Sequence, residues 1–158
     1  TTQTKGGQIA KDMLAVGLTC KLMVPDACME EAFIRSAGAA NLNDRCYVTF
    51  AGLPPRHLTG AGRRFVEKYR SRYGKLPEAY AVYGYEAAKA ALAAIDRARV
   101  KDRQAILAAC LGLRDFSGGA LGTWSFDASG DSTLRTLSGS IVRDGKFEFV
   151  KMLGTPHP

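Results

Sequence analysis

Between Lys21 and Phe50 the sequence runs from a short apolar stretch through a short helical pattern to a β-rich stretch. No other feature restricts the fold as much. Lys21-Leu22-Met23-Val24 stops at Pro25, which has no amide to give to a strand ladder. Met29 to Ala37 reads as a short helix ended by Gly38. Asn41-Leu42-Asn43-Asp44 reads as a polar turn, and Cys46-Tyr47-Val48-Thr49-Phe50 as a strand. Strand, helix, strand at this spacing forms a βαβ unit, with parallel strands and a right-handed crossover. Ligands of open α/β sheets bind beyond the carboxyl ends of such strands. Asp26, directly after Pro25, is therefore a candidate partner for a cationic ligand group. It is equally a good N-cap for the helix starting near Met29.

Around that unit, Gly7 to Val16 reads as a helix with Ile9, Met13 and Val16 on one face and Gly17 as its stop. Gly52-Leu53-Pro54-Pro55 breaks the pattern, as a hinge or crossover segment would. The pattern then predicts three helices: Thr59 to Tyr73, with Gly74 and Pro77 beyond; Glu78 to Arg97, with Ala88, Leu92 and Ile95 on one stripe; and one capped by Asp102, with Ile106, Ala109 and Cys110 inward. After Arg114 the character becomes antiparallel β. Gly118 to Phe126 alternates at its end, with Trp124 and Phe126 on one face. Asp144-Gly145, set between apolar runs, predicts a type I′ hairpin over Ile141–Val150.

Several function classes are disfavoured. The chain has 158 residues, 46% of them hydrophobic and 23% charged, and no run approaches the length of a membrane span or the apolar core of a secretory signal. A net charge of +7 invites a nucleic-acid reading, but the basic run Arg63–Tyr73 places Phe65, Tyr69 and Tyr73 on one helical stripe beside solvated charges. Cys20, Cys28, Cys46 and Cys110 form no C-x-x-C pair, and His57 and His157 stand apart from them, so no metal is expected. A Cys20–Cys46 disulfide is conceivable; a buried free thiol is the default for each. Asp127-Ala128-Ser129-Gly130-Asp131 lacks the ligand ladder of a calcium loop. No nucleophile elbow, zinc-protease motif or phosphate loop occurs, so no enzyme activity and no cofactor are expected.

The order of short motifs carries more information than any one of them. Gly7-Gln8-Ile9-Ala10-Lys11, Val16-Gly17-Leu18, Leu22-Met23-Val24-Pro25-Asp26 and Tyr47-Val48-Thr49 come first. Phe65-Val66-Glu67-Lys68-Tyr69, Tyr73-Gly74-Lys75-Leu76-Pro77 and Tyr80-Ala81-Val82-Tyr83-Gly84-Tyr85-Glu86-Ala87 follow. Phe116-Ser117-Gly118, Phe126-Asp127 and Asp144-Gly145-Lys146-Phe147 close the series. In this order they resemble the second half of a type I periplasmic binding protein, and are most similar to the branched-chain amino-acid (Leu/Ile/Val) receptors of ABC transporters.

The resemblance implies an α/β fold, the C-terminal part of a two-lobed type I periplasmic-binding-protein architecture: a parallel βαβ unit, a helical segment and an antiparallel C-terminal hairpin. Residues 1–52 with 134–153 would belong to one lobe, and 56–132 to the other, which would lack its N-terminal sheet. It implies an extracytoplasmic, periplasmic or lipid-anchored receptor that captures an amino acid or analogue between hinged lobes and hands it to an ABC permease, without nucleic acid. Asp26 would hold the α-ammonium, a role that Glu often fills in the family. Tyr80 would line the side-chain pocket, with Tyr83 as a neighbour, and Thr2 stands where the family places a Tyr. Helices without their sheet would expose stripes including Phe65, Tyr69, Leu92 and Ile106. Such patches call for a partner, either a second copy or the missing N-terminal half. The same scaffold also suits a cytosolic ligand-sensing regulatory domain, or an oligomerising fragment that binds nothing.

Overall fold

In the computed structural model, which describes residues 3–154, the strand–helix–strand unit is present as expected. β1 (Leu22–Val24) pairs in parallel with β2 (Cys46–Phe50), and Leu22 lies opposite Cys46. β2 pairs antiparallel with β3 (Leu137–Arg143), which turns into β4 (Lys146–Gly154), giving a four-stranded sheet in the order β1-β2-β3-β4. The hairpin turn is of type I′, with φ of 46° at Asp144 and 67° at Gly145. β2 is central, and its Cys46, Val48 and Phe50 are all buried. β1 forms an edge of the sheet, so Val24 is buried while Met23 stays 70% exposed.

This sheet belongs to one of two compact units, made of residues up to Leu53 and from Arg135 onward. Its helices are α1 (Gln3–Ala15), α2 (Glu31–Ala37) and the single turn α3 (Ala39–Leu42). The expected polar turn at Asn41–Asp44 is thus partly helical. Leu42 drives it, being fully buried. The expected inner face of α1 needs a larger correction. Gly6, Gly7 and Ala10 face inward, whereas Ile9 is 46% and Val16 73% exposed. Close approach to α2 is the reason. A methyl on Gly7 would collide with Ser36, and one on Gly6 would meet Cys28 Sγ at 3.0 Å and the Phe33 ring at 3.3 Å.

The second unit spans Pro54–Leu134. Here α4 (Gly60–Tyr73) ends at Gly74 in the left-handed conformation, α5 (Ala81–Ala98) follows, and α6 (Arg103–Leu111) is capped by Asp102, whose carboxylate accepts from the Ala105 amide at 2.8 Å. The core gathers Ala90, Leu113 and Trp124 with Phe116, Phe126 and Leu134. The Trp124 ring meets Phe116 and Phe126 edge-on at 5.3 and 5.0 Å, so Trp124 and Phe126 do share a face.

The antiparallel strand expected over Gly118–Phe126 is reduced to isolated bridges, Phe116 to Trp124 and Phe126 to Ser132. The buried carboxylate of Glu86 explains this. It accepts from the Ala120 amide at 2.5 Å and the Leu121 amide at 3.1 Å, two donors that a ladder would need, and from the Trp124 indole Nε1 at 2.7 Å. On α5 the inner positions are Val82, Glu86, Ala90 and Ala94, and the stripe with Leu92 and Ile95 is 62% and 50% exposed at those residues. Phe65, Tyr69 and Ile106, expected to be exposed, are half-buried.

All four cysteines are free. Cys28 and Cys46 are buried, but Cys20 is exposed and Cys110 half-buried, against the expectation of burial for each. Burial pushes the Cys46 thiol up to about 12, with Cys28 adding to the shift, and raises Cys28 as well.

Candidate functional site

Because β1 and β2 run parallel, Val24 and Phe50 end at the same edge of the sheet, and Asp26 is the second residue after β1, with Pro25 between. Pro25, with φ of −74°, ends the strand and leads into a single 3-10 turn, Asp26–Cys28. Asp26 is half-buried, and its Oδ1 accepts from the Ala27 amide at 2.9 Å. It does not cap α2, whose N-cap is Glu30. Of the two readings open in the sequence, the helix-capping one is thereby removed for α2. What remains is a carboxylate at the carboxyl edge of the parallel pair, steadied through Oδ1 by the amide of the next residue.

In the second unit, Tyr80 stands at the N-cap of α5 and Tyr83 lies one turn on, the two rings 6.4 Å apart at 56°. Tyr80 is 39% exposed, whereas Tyr83 is half-buried and burial pushes its phenol up to about 12. Tyr83 therefore stays protonated at neutral pH and offers a hydroxyl and an apolar ring. The structure brings these two candidates together on one helix start. Asp26 belongs to the other unit, and Thr2 lies outside the described residues. No group of three metal-ligating side chains occurs among the described residues.

Sequence reasoning missed Glu86, which positions the 116–124 loop against α5. The signal was present as an acid embedded in an Ala-rich helix, at a position that the helical period places inside. A charge there needs donors, and only glycine at 119 leaves room for the carboxylate, since a methyl at that position would overlap it.

A parallel βαβ unit with an acid at its carboxyl edge, an antiparallel hairpin completing the sheet and a separate helical unit together define a fragment of the type I periplasmic-binding-protein fold. Residues 1–139 match the family model described as periplasmic binding protein, and the chain belongs to that family. A leucine-binding protein from Thermotoga maritima superposes with a TM-score of 0.85 at 26% identity, over 96% of this chain and 42% of that one. The substrate-binding protein of a branched-chain amino-acid transporter from Streptococcus pneumoniae, solved with isoleucine, gives 0.83 at 20% identity, over 97% and 42%. An ABC-transporter substrate-binding protein from Desulfitobacterium hafniense, solved with Leu, gives 0.73 at 24%, over 95% and 42%. The chain thus spans about 42% of the length of these structures. None of the curated proteins matches it.

Proposed function

We propose that this chain is the ligand-contacting C-terminal part of an extracytoplasmic receptor that captures a branched-chain or related amino acid for an ABC importer. The observation that carries the proposal is the place of Asp26, directly beyond β1 at the carboxyl edge of a parallel pair, in a chain that superposes on a leucine-binding protein. Asp26 holds the α-ammonium, and Tyr80, with Tyr83 beside it, forms a wall for the side chain. When water is excluded, the carboxylate–ammonium pair strengthens and selects α-amino compounds. Removing one partner of such a buried pair costs on the order of 3–5 kcal/mol. A domain architecture of residues 1–52 with 134–153 as one lobe and 56–132 as part of the other fits this role.

The test is a thermal-shift and titration series on the full-length receptor with leucine, isoleucine, valine and unrelated amino acids. A ligand at a hundredfold its Kd adds about 2.7 kcal/mol of stability. Leucine or a close analogue is expected to raise Tm, Asp26→Ala to abolish the rise, and Tyr80→Ala to change which side chain is preferred. An Asp26→Ala variant that binds leucine as tightly as the parent sinks the assignment.

The apolar side chains Leu92, Ile95, Leu107 and Leu111, all at least 44% exposed, favour a second reading: association with a further copy or with the rest of a longer receptor. A monomer in sedimentation that binds no apolar dye excludes it.

A further inference from the structure

One motif is left unused by amino-acid capture. In α4, Arg64, Lys68 and Arg72 recur at one-turn intervals, and Phe65, Tyr69 and Tyr73 run beside them one residue on. The two rows, with Tyr85 from α5, line an open cavity of about 470 Å³ inside the second unit. Phe65 lies 5.0 Å from Tyr85, and Tyr69 4.6 Å from Tyr73, so the trough floor is a continuous aromatic ladder. Among the described residues no ion pair reaches Arg64, Lys68 or Arg72, while the adjacent Arg63 is held by Glu67 at 3.4 Å. The rest of a longer receptor, as a cover for Phe65 and Tyr69, would account for the rings but not for the row of cations beside them.

We propose that this face docks an acidic amphipathic helix of a partner protein. Helical rise sets the cations about 6 Å apart, the repeat of carboxylates one turn apart on a facing helix. Three charge pairs can then form together while an apolar residue of the partner enters the trough. A single-stranded nucleic acid would match the charge but not the rings, which stack its bases only where their faces are open. Here neighbouring rings are tilted against each other at 4.6 to 6.0 Å, leaving no slot for a base. The proposal is independent of the ligand assigned to Asp26.

Fluorescence anisotropy with a labelled helical peptide, carrying Glu at one-turn spacing beside Leu, tests it on the whole 158-residue chain. Saturable binding is expected, weakening as salt rises from about 50 to about 300 mM. The exposed triple variant R64E/K68E/R72E, shown folded by circular dichroism, is expected to lose at least about tenfold in affinity, and Tyr69→Ala about threefold, with R63E unchanged. Equal affinity of the parent and the triple variant overturns the proposal. So does the absence of saturable binding, or tighter binding of an oligothymidylate than of the peptide.

Discussion

The two units solve the problem of closing a core in different ways. In the sheet-bearing unit the largest fully buried side chains are apolar, Phe33, Leu42, Val48, Phe50 and Val142, and Cys28, Cys46, Ser138 and Ser140 are fully buried with them. In the helical unit the inner face of α5 is Val82, Glu86, Ala90 and Ala94, and its larger apolar residues, Leu92 and Ile95, face outward. What holds the 116–124 loop there is a carboxylate taking two backbone amides and an indole. The first unit is closed by apolar volume around β2, the second by the Trp124 cluster together with hydrogen bonds around one acid. A core of the second kind leaves apolar area over, and that area is where the proposed association would occur.

The difference breaks most readily at its two anchors. Phe33→Ala leaves a cavity between α1 and α2 and is expected to cost about 3–5 kcal/mol, the largest single effect. It should accelerate amide hydrogen exchange in β2 and β3 first. Glu86→Ala orphans three donors, two of them buried, and is expected to cost about 3 kcal/mol. Trp124, the chain's one tryptophan, sits in this cluster, so its fluorescence midpoint in urea reads the loss directly. Glu86→Gln keeps one acceptor and should fall between. If Glu86→Ala left the tryptophan transition where it was, the second unit would be held by apolar packing alone.

Much of the first unit was legible. A strand ended by proline, a hairpin turn with Asp-Gly and a β-branched central strand are local signals. They give β1 and β2 with little shift of boundary and the β3–β4 turn in place, while the hairpin strands run four residues further at each outer end. The orientation of α1 was not legible. Its hydrophobic period points Ile9 and Val16 inward, but contact with α2 admits nothing larger than Gly6, Gly7 and Ala10. Periodicity reports where apolar residues lie, not how close the neighbour comes. The loop around Gly118–Phe126 failed for a related reason: its amides are claimed by a side chain distant in sequence. At the candidate site, Asp26 could be placed from Pro25 alone, while the choice between capping and presenting a carboxylate needed the 3-10 turn that separates it from α2.

Alkali sharpens the comparison, because the sheet unit buries the thiols of Cys28 and Cys46 and the helical unit the phenol of Tyr83. The Cys46 thiol moves from about 9 up to about 12, and the Tyr83 phenol from about 10 up to about 12. A raised folded-state value means the folded form keeps its proton longer. The stability it contributes is intact below the unfolded value and is lost as pH climbs toward the folded one, at up to about 1.4 kcal/mol per pH unit for a single group. The sheet unit should begin to weaken near pH 9 and the helical unit near pH 10. Hydrogen exchange in β2 and tryptophan fluorescence, followed across that range, should separate the two onsets, and Cys46→Ala should weaken the earlier one, with Cys28 left to contribute.

The smallest effect concerns two caps within the helical unit, where side-chain hydrogen bonds act beside the apolar core. Asp102 and Thr59 both read as N-caps in the sequence, yet only Asp102 forms the bond, its carboxylate accepting from the Ala105 amide, while the Thr59 side chain makes no cap bond. Asp102→Ala is therefore expected to cost about 1 kcal/mol, and Thr59→Ala less than about 0.5. Exchange rates of the first-turn amides of α6 and α4 read the two separately. Equal losses would mean that Thr59 caps α4 in solution, and that cap sequence alone, not the realised bond, sets the stability of these helix starts.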